Sequence, residues 1–258
     1  PVPVPTGAWQ LDGDFRNEVD AASPLQPLGF TPSFTSTSIA GVTTTVLQLP
    51  RFTSRTQTLT AQNPITGNGT GELTNVWTIA MDVNLSTLSP FVSLLSTDST
   101  NSNDTDIFLR TNGQIDLGSS SVAAGAFAAN RWMRIVLTQQ ASARGDLLTK
   151  AYIDGQFVGL ARNPVDGSTA LREVFHFFSD DNGETVPMLV GSLAYWDVPL
   201  TPNQVEQLGP VTAAGINAAT EGGIYQLELS SSDPGRDTIT QWQIDWGDGS
   251  PVEMVPTG

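Results

Sequence analysis

The sequence predicts an all-β protein: an antiparallel two-sheet sandwich, followed by the first part of a second, smaller β-sandwich. Three observations predict it. Short stretches alternating between apolar and polar residues recur along most of the chain. Asn-Gly and Asp-Gly pairs stand between several of them, as hairpin turns require. One short stretch, and no long one, carries full start and stop signals for a helix. Short strands and turns at this density pack as two antiparallel sheets.

The elements follow in order. Pro1-Val2-Pro3-Val4-Pro5 is extended and linker-like, without the basic and apolar regions of an intact signal peptide. In the strand over 76–83, Trp77, Ile79, Met81 and Val83 share one face, and Thr78, Ala80 and Asp82 share the other. Segments 107–110 and 114–117 flank Asn112-Gly113 and form a hairpin. A strand over 132–137 follows, with Trp132 expected to face the core. Segments 150–153 and 156–158 flank Asp154-Gly155 as a second hairpin of the same kind. Segment 174–178 is apolar on both faces except for His176, which marks a buried central strand; 188–196 is a further strand. The helix begins after Thr201, an N-cap, with Pro202 at the first helical position and Gln204 closing a capping box. Leu200 and Val205 fit a hydrophobic staple, and Gly209 is the stop. Residues 1–209 are thus expected as one domain that folds by itself, 210–215 as a linker, and 216–258 as a partial second domain. In that last part, segments 222–229 and 239–246 alternate around a turn at Asp233-Pro234-Gly235.

Composition removes several function classes. The 258 residues are 39% hydrophobic, enough for a sizeable core and too much for a disordered chain. A formal net charge of −15 repels a phosphate backbone, so no nucleic-acid partner is expected. No run approaches the roughly 20 apolar residues of a helical span, so no membrane insertion by helix is expected. The absence of cysteine excludes thiolate zinc sites, cysteine nucleophiles and disulfides, without fixing the compartment. A single histidine, His176, excludes a metal site rich in His; in its Val-Phe-His-Phe-Phe context it reads as a hydrogen-bonded core or edge residue.

The order of the early 76–83 strand, the Trp132 strand, the Tyr152-Ile153-Asp154-Gly155 hairpin, the late 188–196 strand and the 200–209 helix resembles the laminin-G-like, concanavalin A-like lectin/glucanase superfamily. Leu11-Asp12-Gly13-Asp14-Phe15 is similar to that family's first strand and turn. The resemblance covers about 1–209 and implies a two-sheet jelly-roll sandwich. With Asn103-Asp104-Thr105-Asp106 and the 178–184 segment, it looks like a variant common in large bacterial surface proteins. Residues 241–249, ending in Asp245-Trp246-Gly247-Asp248-Gly249, are similar to the strand and turn of PKD-type immunoglobulin-like domains. The two resemblances together imply a secreted or cell-surface setting and flanking domains in a longer parent chain.

Ser179-Asp180-Asp181-Asn182-Gly183-Glu184 packs three carboxylates and an amide into six residues. Hard cations such as Ca²⁺ take six to eight oxygen ligands. Asp180, Asp181, Asn182 and Glu184 are therefore candidate ligands, with a plain polar turn as the competing reading. Asp98, Asn101, Asn103, Asp104 and Asp106 form a second oxygen-rich loop, ordinary in isolation. Asp104 and Asp106 join the candidate metal site if the two loops meet in space. Asp12, Asp14, Asp245 and Asp248 read as turn chemistry.

The strand motif of paired carboxylates that the superfamily's glucanases carry is absent. No Gly-x-Ser-x-Gly elbow accompanies His176 either, so an enzyme is not expected. Sugar binding calls for an exposed aromatic platform. Tyr195 and Trp196 are adjacent and on a strand face opposite ways, which nominates one of them as a ligand contact, with packing under the helix as the alternative. Sequons occur at Asn68, Asn84 and Asn103 and matter only in a glycosylating host. The resulting expectation is a non-catalytic, carbohydrate-directed binding or adhesion module of a large secreted or cell-surface protein. A glycan or an extracellular protein is its partner, and calcium its cofactor. A purely structural spacer is the alternative, and a polysaccharide hydrolase or lyase the third.

Overall fold

The computed structural model describes residues 1–122, 125–216, 240–244 and 251–256. The chain divides into two compact units, Pro1–Glu221 and Gly222–Gly258. The first unit carries strands β1 (Gly7–Gln10), β2 (Gln26–Leu28), β3 (Ser33–Ile39), β4 (Val42–Leu49), β5 (Thr58–Gln62), β6 (Trp77–Leu85), β7 (Val92–Ser96), β8 (Ile107–Leu109), β9 (Ile115–Leu117) and β10 (Ser121–Val122). They are followed by β11 (Trp132–Ala141), β12 (Leu147–Ile153), β13 (Gln156–Asn163), β14 (Val174–Phe177), β15 (Met188–Trp196) and the helix α1 (Pro202–Leu208). One antiparallel sheet has the order β13-β12-β11-β6-β15-β4-β3, with β1 also paired to β15. The other runs β10-β9-β8-β7-β14-β5-β2. The fold is the expected all-β sandwich.

The core lies between the sheets. Trp77, Ile79, Met81 and Val83 of β6 enter it together, as their alternation requires. Phe175 and Phe177 of β14 meet them from the second sheet, and β14 is central there, flanked by β7 and β5. The opposite face of β6 is not solvated. Ala80 lies in a second apolar layer with Val136, Tyr152, Ala194, Trp196, Leu200, Val205 and Ile216, beneath α1. Thr78 accepts from the Leu200 amide (2.8 Å) and donates to the Val198 carbonyl (2.8 Å), tying the segment before α1 to the sheet.

The two expected hairpins form, by different turns. Asp154 and Gly155 both have positive φ (49° and 83°), the two-residue turn that matches strand twist. Around Asn112 only Gly113 is left-handed (φ 70°), and its amide bonds the Arg110 carbonyl at 2.9 Å, so the loop is one residue longer. Trp132 departs from expectation. Met133, Ile135 and Leu137 are the residues of β11 that face the inter-sheet core. Trp132 is one position out of step and packs half-buried with Ile39, Val46 and Val211 on the outer face.

The helix forms as expected. Thr201 Oγ1 accepts from the Gln204 amide (3.3 Å), and Gln204 Oε1 accepts from the Thr201 amide (2.9 Å). Leu200 and Val205 share one apolar layer, and Gly209 follows with φ 60°. Thr201→Ala is expected to lower stability by about 0.5–2 kcal/mol, read as a lower denaturant midpoint at unchanged slope.

Segment 210–216 is packed against the sandwich, where a free linker was expected. Val211 and Ile216 are buried. The Ile216 amide donates to Ser192 Oγ (3.1 Å), and the Gly215 carbonyl accepts from Arg134 Nη2 (3.0 Å). The chain there covers apolar surface that the helix alone leaves open. In the second unit, β16 (Gln241–Ile244) pairs with β17 (Glu253–Pro256) in an antiparallel hairpin. Segment 222–229, the 233–235 turn and the 246–249 turn lie outside the described residues.

Candidate functional site

The second sheet's strand β7 is joined to β8 by loop 97–106, and β14 is joined to β15 by loop 178–187. β7 is hydrogen-bonded to β8 on one side and to β14 on the other, both antiparallel, so the end of loop 97–106 and the start of loop 178–187 flank β7 and meet over Ser93. Their meeting is fastened from inside. Ser93 Oγ (2.6 Å) and Thr105 Oγ1 (2.6 Å) both donate to the Ser179 carbonyl. Asn101, buried and at φ 47°, donates to the carbonyls of Arg55 (2.9 Å) and Asp180 (3.2 Å).

Asp180 is 1% exposed, an unusual place for a carboxylate. It is stabilised by amides: Oδ2 accepts from Thr105 (3.1 Å), and Oδ1 from Asn182 (3.0 Å) and Glu184 (3.4 Å). Asp180 therefore shapes the turn and also draws the two acidic loops together. Carboxylate oxygens of Asp104, Asp180 and Asp181 lie within 4.8 Å of one another. Asp181 Oδ1 is buried without a hydrogen-bond partner. Burial, then the neighbouring Asp180 and Asp104, raise the Asp181 pKa. Burial and the same neighbours raise that of Glu184, with Arg110 opposing. Three hard-oxygen groups this close repel one another, and hard oxygens are the donors that a cation such as calcium takes.

The other candidates fall elsewhere. Asp106 does not join the cluster; the Thr97 amide (2.8 Å) and hydroxyl (2.9 Å) hold its Oδ2. Residues 104 and 106 are two apart, so alternation alone would place them on one face; here Asp104 lies in the cluster while Asp106 is held by Thr97, and the amide between them, that of Thr105, donates to Asp180. Asn182 is exposed at the turn and contributes its amide to Asp180. Asp98 caps its own loop, taking the Thr100 amide (3.0 Å) and the Ser102 amide (2.9 Å), and lies well below the usual carboxylate range. His176 is buried between Thr60 Oγ1 (2.9 Å from Nδ1) and the Ser99 carbonyl (3.3 Å from Nε2), and burial lowers its pKa.

Neither aromatic nominated for ligand contact is at the surface. Tyr195 and Trp196 do point to opposite sides, yet each is 1% exposed. Tyr195 enters the inter-sheet core and its hydroxyl donates to Asn63 Oδ1 (3.1 Å). Trp196 lies beneath α1 and its Nε1 donates to the Pro3 carbonyl (2.8 Å). The strand is covered on both faces, which alternation alone does not reveal.

Two clefts adjoin the loops, one mainly polar and one mainly apolar. One, of about 540 Å³, is lined by Asp98, Asn103, Asp104, Asp106, Ser168 and Arg172. The other, of about 460 Å³, is lined by Arg51, Ser89, Phe91, Asn182, Glu184 and Thr185, among others. In the first, burial pushes Asp106 up to about 6, despite the Thr97 hydrogen bonds. A carboxyl whose pKa is raised on folding binds its proton more tightly in the folded state. Its contribution is therefore favourable at pH 4 and is lost as pH rises through about 6. Asp106→Asn is expected to flatten that fall in EDTA, measured as denaturant midpoints from pH 4 to 7. Identical profiles for the two proteins would mean that Asp106 titrates normally.

No protein-family model matches the chain, and no curated protein matches it. Solved structures do match in fold. Domain 4 of AbnA, a GH43 extracellular arabinanase from Geobacillus stearothermophilus, solved with arabinotriose, superimposes with a TM-score of 0.51 at 14% identity, over 81% of this chain and all of that one. Botulinum neurotoxin type C, whose cell entry depends on interaction with two ganglioside molecules, gives 0.54 at 12% identity over 80% of this chain. The binding domain of Paraclostridial Mosquitocidal Protein 1 gives 0.54 at 10% identity, also over 80%. The chain spans about half the length of these last two chains, 50% and 51%. At such identities the likeness is one of fold.

Proposed function

We propose that the first unit is a non-catalytic, carbohydrate-directed binding module, stabilised by calcium, of a secreted or cell-surface protein. On this reading it is a laminin-G-like, concanavalin A-like domain, the second unit is PKD-like, and both belong to a longer multidomain chain. The observation that carries the reading is the meeting of loops 97–106 and 178–187, which brings Asp104, Asp180 and Asp181 to one point beside two clefts. Neighbours of the same fold that bind arabinotriose or gangliosides support the choice of glycan. Among the described residues no helix is long and apolar enough to cross a membrane.

The residues fit calcium better than a transition metal. All the donors are hard oxygens, the orphaned Asp181 Oδ1 lacks a partner, and Asp180 Oδ2 keeps a lone pair beyond the one given to the Thr105 amide. Bound there, the ion replaces repulsion among the carboxylates with coordination and locks the two loops. Binding to the folded state alone stabilises by about 2.7 kcal/mol at a hundredfold excess over Kd, which is several degrees in melting temperature. Millimolar calcium is expected to raise the melting temperature, EDTA to reverse it, and magnesium to do less. Asp104→Asn and Asp181→Asn, which spare the buried Asp180, are expected to abolish the response. A glycan array with and without EDTA tests the function itself; no glycan retained in either condition would leave a structural spacer as the better account.

A further inference from the structure

Resting on the glycan reading above, we infer that the sugar is held in the cleft of Arg51, Phe91, Asn182 and Glu184, and that it is an uncharged oligosaccharide. The sequence directs attention to tryptophan and tyrosine, but Trp9, Trp77, Tyr195 and Trp196 are all buried. Phe91 is half-buried and lines a cleft. It sits just before β7, in the turn out of β6, and it is held in place from two sides. Phe108 meets its ring in a T-shaped contact with centroids 5.5 Å apart. The Arg110 guanidinium lies 4.5 Å from its centroid and is itself fixed by Asp116, at 2.7 Å from Nε. Ser89 Oγ donates to the Phe91 carbonyl, which secures the turn. A ring already fixed, with Arg110 over one face, loses little freedom when a sugar's C–H face settles on the other.

The same cleft is lined by planar polar groups suited to adjacent hydroxyls. Arg51 is exposed and forms no ion pair among the described residues. Asn182 is exposed, and only its backbone amide is engaged by the turn. Glu184 adds a carboxylate. A guanidinium, an amide and a carboxylate pair with vicinal diols through two hydrogen bonds each, and the ring supplies the apolar floor. The field of the site sets the charge class. Glu184 stands beside Asp104, Asp180 and Asp181; a divalent cation there offsets two of those three charges, so with Glu184 the local balance stays negative, and the chain carries −15 overall. Uronate, sialate or sulfate groups would enter against that field, whereas hydroxyls do not.

The test is calorimetry on the full chain, with soluble neutral polysaccharides (arabinan, xylan, mixed-linkage glucan, galactomannan) and acidic ones (polygalacturonate, polysialate, heparin), each with calcium and with EDTA. Binding is expected in the neutral set. Phe91→Ala is expected to raise Kd about tenfold or more, and Arg51→Ala and Asn182→Ala about fivefold each, with melting temperatures close to wild type. Phe91→Trp keeps a ring and is expected to retain binding, which separates loss of the platform from local unfolding. Wild-type binding that survives Phe91→Ala and Arg51→Ala would place the sugar elsewhere and overturn this site while leaving the glycan function intact. Binding confined to the acidic set would overturn the charge class. No binding to any polysaccharide would overturn the glycan reading together with this inference.

Discussion

Arg134→Ala is expected to destabilise the first unit by about 3–5 kcal/mol, a large share of the 5–15 kcal/mol that holds a typical domain together. Arg134 of β11 stands directly opposite Asp82 of β6. Its Nε and Nη2 form a two-pronged pair with the Asp82 carboxylate, at 2.7 and 2.8 Å. The side chains are 3% and 0% exposed, so water cannot take over for a missing partner. Ser192 Oγ donates to Asp82 Oδ2 (2.7 Å), and the guanidinium also donates to the carbonyls of Leu208 and Gly215. One side chain thus joins two strands, the end of α1 and the segment after it. Removing it leaves a buried carboxylate with one hydroxyl donor. The decisive comparison is a pair of apolar replacements, Asp82→Leu with Arg134→Met, which is expected to restore most of the loss, because no uncompensated charge remains. Denaturant midpoints for the single and double variants supply the cycle. A single Arg134→Ala variant within about 1 kcal/mol of wild type would show that the pair is solvated.

Ending the chain after Gly209 is expected to lower stability by about 3–6 kcal/mol relative to a chain ending after Glu221. Thr201, Gly209 and the complete set of strands mark 209 as a natural stop. The described residues continue past it with purpose. Ile216 completes the apolar layer over Ala80, Val136 and Trp196, and Val211 covers Ile39 and Val46. Burying one such side chain contributes about 1.5–3 kcal/mol, and a hydrogen bond to a charged group a similar amount. Both the Ile216 burial and the Arg134–Gly215 bond vanish in the shorter chain. Thermal unfolding of the two truncations, compared at one protein concentration, reads the difference. Equal midpoints would make 210–216 a true linker.

Local signals were sufficient wherever the physics is local. The capping box at Thr201 and Gln204, the left-handed pair Asp154-Gly155 and the period-two face of Trp77, Ile79, Met81 and Val83 depend on residues a few positions apart, and each stands as the sequence predicts. The second sheet was less legible. β5 and β7 are not among the strands named from the sequence; Thr58, Thr60, Ser93 and Ser96 interrupt their apolar runs, yet all four are buried in the sheet. The β3–β4 hairpin turns on Ala40-Gly41, both at positive φ, where alanine gives no warning.

The sequence by itself determined the all-β class, the helix with its caps, and the two acidic loops as stretches of hard-oxygen donors. Each of these follows from composition and short-range periodicity. Only the tertiary structure decided which acids meet. Pairing β7 with β14 brings residues 104 and 180 together across more than seventy positions, and the amide of Thr105 anchors Asp180 while Asp106 turns away to Thr97. Only the tertiary structure decided which aromatic faces a cleft. A β-bulge between Val190 and Ser192 sets the parity of β15, sending Tyr195 into the core and Trp196 under α1, while Phe91 is left at the rim. Alternation reports that two neighbours point opposite ways. Whether either side is open depends on what packs against it, and that is settled by contacts far away in the chain.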